Sequence, residues 1–369
     1  MIIISNRTVK YLCFSDIDNI TYVRYYYLAA GSCQHLGGFD MRIERNSFIE
    51  RMKQQTIGVE VEMFGINRKR AAVLTAKFFG TYVDDSSIGW EQHLDVYYCL
   101  DQQGRKWKYA YDCSIRQQVS NYPQHRKCEL NTPVLTYDDI PTLQEVLRML
   151  RKEGAKSNPE NSCGIHVHIG ADLGKEGGHT PQSLRNLTNL MKAHESILIE
   201  SISIPWNRRK YCKTTDSRWV EAVNKQKPKT IEEFRRCWYK SQGEDPDGNI
   251  RHYNETRYHM LNLHSLFDPH GHGTIEFRCF QFDNPSQDRK GGIHAGMVKA
   301  YIQLCLAMSQ YSKEVTRTTP NENLDSNHKY AMRCWLLRLG FIGKEFETAR
   351  DVLTRRLSGN AAYSGNRAA

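Results

Sequence analysis

The chain has 369 residues, 40% of them hydrophobic and 25% charged, with a formal net charge of +10. This is the profile of an ordinary soluble globular protein long enough to bury a substantial core. No apolar run approaches the ~18 residues of a membrane span, and "MIIISNRTVKYLCF" lacks the features of a signal peptide, so a cytoplasmic location without membrane attachment is expected.

Eleven cysteines are scattered without a C-x-x-C pair, which suggests reduced thiols rather than a disulfide framework or a zinc ribbon. The basic residues are dispersed, as in "NRRKYCK" and "IEEFRRCW", so solvated helix faces account for most of the charge. Nucleic-acid binding is a minority reading.

Residues 1–51 are tyrosine-rich, carry no catalytic pattern and stand apart as an N-terminal extension; Met41 or Met52 is an alternative translation start. "IGVEVEMF", residues 57–64, then alternates as a strand, placing Glu60 and Glu62 on one face about 6.5–7 Å apart. Asn67 caps a helix that runs to Gly80, with Ala72, Val73, Ala76 and Phe79 as its apolar stripe. "QQGRKWKYAYDCSI" predicts a hairpin, "RKCELNTPVL" a strand ended by Pro133, and "DIPTLQEVLRMLRKEGAK" an amphipathic helix with Pro141 near its start. "SCGIHVHIGA" is a further strand, and a long helix follows in "TPQSLRNLTNLMKAHESILIESI". Thr230 to Glu233 forms a capping box, "GTIEFRCFQF" is the last clear strand, and the remainder to about residue 360 is mostly helical. Residues 361–369 form a polar tail. No repeat is visible, and no strand–helix alternation points to a doubly wound nucleotide fold, which leaves an α+β unit.

Four of these strands share one habit. Glu60 and Glu62, His166 and His168, Glu276 and Arg278, and Glu129 each stand opposite an apolar face. One such strand would be a wet sheet edge. Four carboxylates with a His-x-His pair repel one another unless protonated or neutralised, and divalent cations held by carboxylate oxygens are the economical answer. The donor set favours Mg²⁺ or Mn²⁺ over zinc. "HESIL" at His194 lacks the second histidine of a metalloprotease helix. Neither common glycine-rich phosphate loop is present, so a nucleotide would bind through metals and basic side chains.

"GVEVEM", "DCSI", "CELNTP", "CGIHVHIG", "RYHMLNLHS", "GTIEFRCF" and "HAGMVKAYIQLCLA", in this order and spacing, resemble the amidoligase family of the carboxylate-amine ligases, which includes glutamine synthetase and glutamate-cysteine ligase. The resemblance covers most of residues 52–360 and implies a catalytic domain like that of glutamine synthetase. Its curved, mainly antiparallel sheet would carry helices on the apolar face and ATP with Mg²⁺ on the polar one. It implies Glu60, Glu62, Glu129, His166 and Glu276 as metal ligands, His168 on the nucleotide side and Arg278 on the phosphate side. Asp112 and Ser114 match the family's D-G-S with Cys113 in place of glycine, and Arg257, Tyr258 and Asn262 fall on the substrate side. The implied reaction joins a carboxylate to an amine through an acyl phosphate, with Asp112 deprotonating the amine. The substrates are an amino acid, a peptide or a cell-wall fragment, and relatives such as glutamine synthetase build sites between subunits, which leaves a homo-oligomer open. Segments 268–273 and 281–292 interrupt the pattern beside the site. A metal-dependent hydrolase using the same carboxylates, and a non-catalytic anion-binding protein, are the competing readings.

Overall fold

The computed structural model describes residues 45–84, 96–116, 127–248, 250–268, 271–284, 292–322 and 326–362. Residues 1–44 of the expected extension, parts of both interrupting segments and residues 363–369 of the tail lie outside the described residues.

The first helix, α1 (Arg45–Lys53), buries Phe48, Ile49 and Met52 in the main core, so the packed body begins before the strand that follows it. Strand β1 (Ile57–Phe64) leads to α2 (Arg68–Phe79), whose Asn67 side chain accepts from the Arg70 N–H and which Gly80 closes. The buried side of α2 is Ala71, Ala72, Thr75, Ala76 and Phe79. Val73, expected in that stripe, falls well outside it on the helix circumference and is exposed. Short β2 (Val83–Asp84), β3 (Tyr97–Leu100) and β4 (Lys106–Ala110) form the expected hairpin region. They are followed by β5 (Lys127–Asn131) and α3 (Ile140–Lys152), with Pro141 in its first turn.

Strand β6 (Ile165–Gly170) precedes the long α4 (Pro181–Ile202) and the pair α5 (Ser217–Gln226) and α6 (Ile231–Ser241). In α6 the Thr230 side chain accepts from Glu233 N–H, but the Glu233 carboxylate reaches Lys229 N–H instead of closing the box on Thr230. Two-residue β7 (Leu261–Asn262), α7 (His264–Phe267) and β8 (Thr274–Phe280) come next. The chain ends in α8 (Ala295–Glu314), α9 (His328–Arg338) and α10 (Glu347–Thr354).

The eight strands form one open sheet in the order β2-β3-β4-β5-β1-β6-β8-β7, with every pairing antiparallel. Antiparallel neighbours directly across from one another share a face, so register decides which side chains meet. The inward side, including Val59, Val61, Trp107, Tyr109, Leu130, Val167 and Phe277, is fully buried. Helix α2 covers it over β3 to β5 and α8 covers it over β6. Helix α8 is buried on nearly every side because α1, α3, α4 and α10 also pack on it, and most of its buried polar side chains find partners inside, the Gln303 side-chain carbonyl oxygen excepted. Ser309 donates to Gln55 at 2.5 Å, and Gln303 donates to the Tyr137 hydroxyl at 2.6 Å.

Between β6 and β8 the register slips by one residue, so Arg278 and Cys279 stand together against His166. Strict alternation would leave Phe280 on the polar face beside Glu276 and Arg278. The bulge instead returns Phe280 to the helix side, where its ring stacks on Tyr301 of α8 at 4.4 Å. No helix among the described residues is long and apolar enough to cross a membrane.

Candidate functional site

The opposite face of the sheet gathers the charged side chains of four neighbouring strands. Glu62 of β1 lies across from Glu129 of β5, Glu60 across from His166 of β6, and His168 across from both Gly58 of β1 and Glu276 of β8. Gly58 leaves room for the imidazole: a Cβ there would stand 3.3 Å from that of His168. Asn262 of β7 completes the row beside Glu276.

Two acidic groupings result. In the first, Glu60, His168 and Glu276 bring ligand atoms within 4.8 Å of one another. His168 Nε2 is 3.3 Å from Glu60 and 4.0 Å from Glu276. His166, expected as the metal-binding histidine, is hydrogen-bonded through Nδ1 to Glu60 at 2.7 Å and sits 3.6 Å from Glu276. Both histidines therefore stand among the carboxylates, His168 between Glu60 and Glu276 and His166 between Glu60, Glu276 and, through Nε2 at 3.8 Å, Glu62. Arg278 donates to Glu276 at 2.5 Å, and Asn262 donates to its other oxygen at 2.5 Å.

Desolvation pushes the Glu60 carboxyl up, but the adjacent His168 and His166 override it and hold it well below the usual range. Glu276 is likewise held down against its burial, by Arg278 and then the two histidines. Burial pulls His168 down, yet Glu276 and Glu60 together raise it.

The second grouping, Glu62, Asp112 and Glu129, also lies within 4.8 Å. Its carboxylates are met by uncharged donors: Gly164 N–H to Glu62 at 2.6 Å, Asn131 to Glu129 at 2.5 Å and Ser114 N–H to Asp112 at 2.6 Å. The last of these is a local turn, so Asp112 both caps the turn and faces the cluster. Burial raises Glu62 and Asp112 adds to it. Glu129 is raised well above its ordinary value by burial and by the charges of Glu60, Asp112 and Glu62.

These residues fit divalent cations. The buried Nε2 of His168 has no hydrogen-bond partner although two carboxylates stand nearby. Separations of this order are the edges of a coordination polyhedron with bonds of about 2.1 Å. The second grouping is all oxygen and suits Mg²⁺.

Other expected residues divide. Tyr258 lies under the Arg278 guanidinium at 5.8 Å, and Arg257 lies over Tyr258 at 5.8 Å, so both border the site on its β8 side. Asn262 is buried, with one end of its amide on Glu276 and the other accepting from His264 N–H, so it orients Glu276 rather than facing open space. Ser114 contributes its backbone N–H to Asp112. His194 stacks on Trp335 at 3.9 Å and bonds to the Leu190 carbonyl, a packing role.

Arg208 escapes a reading of the sequence. It is buried, donates to the Phe280 carbonyl at 2.9 Å, and forms no ion pair among the described residues. Its guanidinium lies where a side chain on Gly164 would stand, so only glycine fits beside it, and its charge acts to lower Glu62. Nothing in "NRRKYCK" distinguishes this arginine from its solvated neighbours.

Residues 53–309, more than half of the chain, match the profile of the family described as "Putative amidoligase enzyme". No curated protein matches the sequence. Among solved structures, a bifunctional glutathione synthetase from Pasteurella multocida is similar at a TM-score of 0.34 and 14% identity, over 85% of this chain and 48% of that one. The chain therefore spans about half the length of that protein, and the likeness is too distant to carry a functional argument.

Proposed function

Because the chain belongs to the amidoligase family, we propose that it is an ATP- and Mg²⁺-dependent ligase joining a carboxylate to an amine through an acyl phosphate. The observation that carries this reading is the pair of adjacent three-ligand groupings, Glu60–His168–Glu276 and Glu62–Asp112–Glu129, with Arg278 at their border. A binding protein for anions has no use for five clustered carboxyl groups.

Glu60, His168 and Glu276 would hold one cation, with His166 orienting Glu60 and Asn262 orienting Glu276. Glu62 and Glu129 would hold a second, with Asp112 beside it. Bound divalent cations would neutralise the phosphate oxygens and stabilise the charge of phosphoryl transfer. Arg278, anchored on Glu276, points a fixed positive charge at the same place and would grip the transferring phosphate or the carboxylate that receives it. The γ-phosphoryl group moves to a carboxylate oxygen and ADP leaves. The amine nitrogen then attacks the acyl carbon, inorganic phosphate departs, and Asp112 takes the proton the amine loses. Tyr258 and Arg257 border the carboxylate side.

The test is Mg²⁺-dependent release of ADP and phosphate from purified protein given pools of carboxylic acids and amines, with condensation products read by mass. Glu60→Gln should abolish turnover. Hydrolysis of amides or phosphoesters without nucleotide, lost in the same variant, would overturn the ligase in favour of a hydrolase.

A further inference from the structure

Beyond the edge of β8, residues 211–213 run beside residues 258–260, joined by Lys213 N–H to the Tyr258 carbonyl and Met260 N–H to the Lys213 carbonyl, each at 2.8 Å. This border carries a sequence of rings and cations in contact. Lys210 Nζ lies 4.7 Å from the centre of the Tyr211 ring, which meets the Tyr258 ring edge-on at 6.3 Å. Arg257 lies over Tyr258 and, at 5.1 Å, over Tyr253. At the other end Arg209 stands 5.8 Å over Trp206. The strip passes directly beside the reaction centre, because Arg278 rests on the same Tyr258 ring.

Two features of the strip have no internal explanation. Trp206 and Tyr253, 84% and 74% exposed, are the most exposed of the large hydrophobic side chains among the described residues, and both belong to it. Of its cations, Lys213 pairs with Glu255 at 3.2 Å, whereas Arg209, Lys210 and Arg257 form no ion pair among the described residues, and the buried Nε of Arg257 has no hydrogen-bond partner.

Rings that hold guanidinium and ammonium groups in fixed positions, with the charges left open, form a rigid receptor for an extended anion. The Tyr258 and Tyr211 rings stand between Arg278 and Lys210, so a ligand touching both is an extended one. We propose that this strip docks an acidic peptide segment and that the carboxylate delivered to Arg278 belongs to that segment. The delivery and the choice of a carboxylate-bearing chain rest on the ligase reading; the docking of an extended anion does not. A carboxylate-bearing chain fits better than a nucleic acid because the strip leads to a centre built to receive a carboxylate.

The experiment measures anisotropy of a fluorescein-labelled hexaglutamate peptide with the full chain in Mg²⁺ and ADP, and nucleotide affinity by calorimetry on the same samples. Hexaglutamate should bind, free glutamate should compete at least about tenfold less well, and affinity should fall with salt. Replacing the exposed pair Arg209→Gln/Lys210→Gln should weaken the peptide about tenfold while leaving the melting temperature and ADP affinity unchanged. Arg257→Gln should weaken it further. Equal peptide affinity in the double variant and the parent would overturn the proposal. So would tighter binding of a six-nucleotide oligouridylate that depends on the same residues. Nucleotide binding without peptide binding refutes the strip and spares the ligase; peptide binding without nucleotide affinity supports the strip and refutes the ligase.

Discussion

The two acidic groupings are neighbours on one sheet face, yet they are held in opposite ways. Around Glu60 and Glu276 each carboxylate meets a cationic or titratable partner, His166 and His168 on one side and Arg278 on the other. Around Glu62 and Glu129 each carboxylate meets another carboxylate and takes its hydrogen bonds from backbone or amide donors, with His166 Nε2 standing off at 3.8 Å from Glu62. The first grouping carries positive or titratable partners of its own. The second is left short of positive charge, so an added cation should change it most.

The largest effect should come from breaking the first grouping. Glu276→Gln leaves the buried Arg278 guanidinium without its anion and should cost about 3–5 kcal/mol in denaturant unfolding with cations chelated. A cost below about 1 kcal/mol would mean that Arg278 is compensated elsewhere, and the contrast would collapse.

Cation binding sharpens the same contrast. Mg²⁺ at a hundredfold excess over its dissociation constant should stabilise the parent by about 2.7 kcal/mol. In Glu129→Gln most of that gain should vanish when followed by thermal melting against Mg²⁺. An unchanged Mg²⁺ response would place the ion elsewhere.

With cations chelated, Glu129→Gln should stabilise the fold by about 1 kcal/mol, opposite in sign to Glu276→Gln, because it removes a repelling charge. Denaturant midpoints of the two variants, compared in chelator, decide this directly.

The smallest effect is on pH dependence. Glu60 and Glu276 have lowered values in the folded protein, so their contribution is present above the unfolded value of about 4.3 and is lost as pH falls through the lower folded values. Glu62 and Glu129 are raised, so their contribution is present below about 4.3 and is lost as pH rises through the higher folded values. Unfolding free energy against pH in chelator should therefore lose its alkaline-side decline in Glu129→Gln and its acid-side decline in Glu276→Gln. The same slope in both variants would show that the groupings do not differ.

Much of this site is legible in the sequence because strand alternation is a local property. Glu60 and Glu62 share a face whatever β1 pairs with, and the same holds for His166 and His168. The Asn67 cap and the helix start at Pro141 are equally local, set by the backbone groups of one helical turn. Alternation fails at Phe280, because the bulge in β8 exists only opposite β6 and is stabilised by packing on Tyr301. It is silent about Arg208, whose burial depends on Gly164 and the Phe280 carbonyl meeting it from distant parts of the chain.

The sequence by itself determined which side chains share a face, through the two-residue period of each strand, and it carried the motifs of the family. Only the tertiary structure decided that β1 lies between β5 and β6, which puts Glu62 against Glu129 and Glu60 against His166. It also decided that both histidines stand beside Glu276, and that rings and unpaired cations line up beyond β8. Strand order and register are set by pairings between residues as much as a hundred positions apart and by burial of the opposite face, which no local spacing encodes.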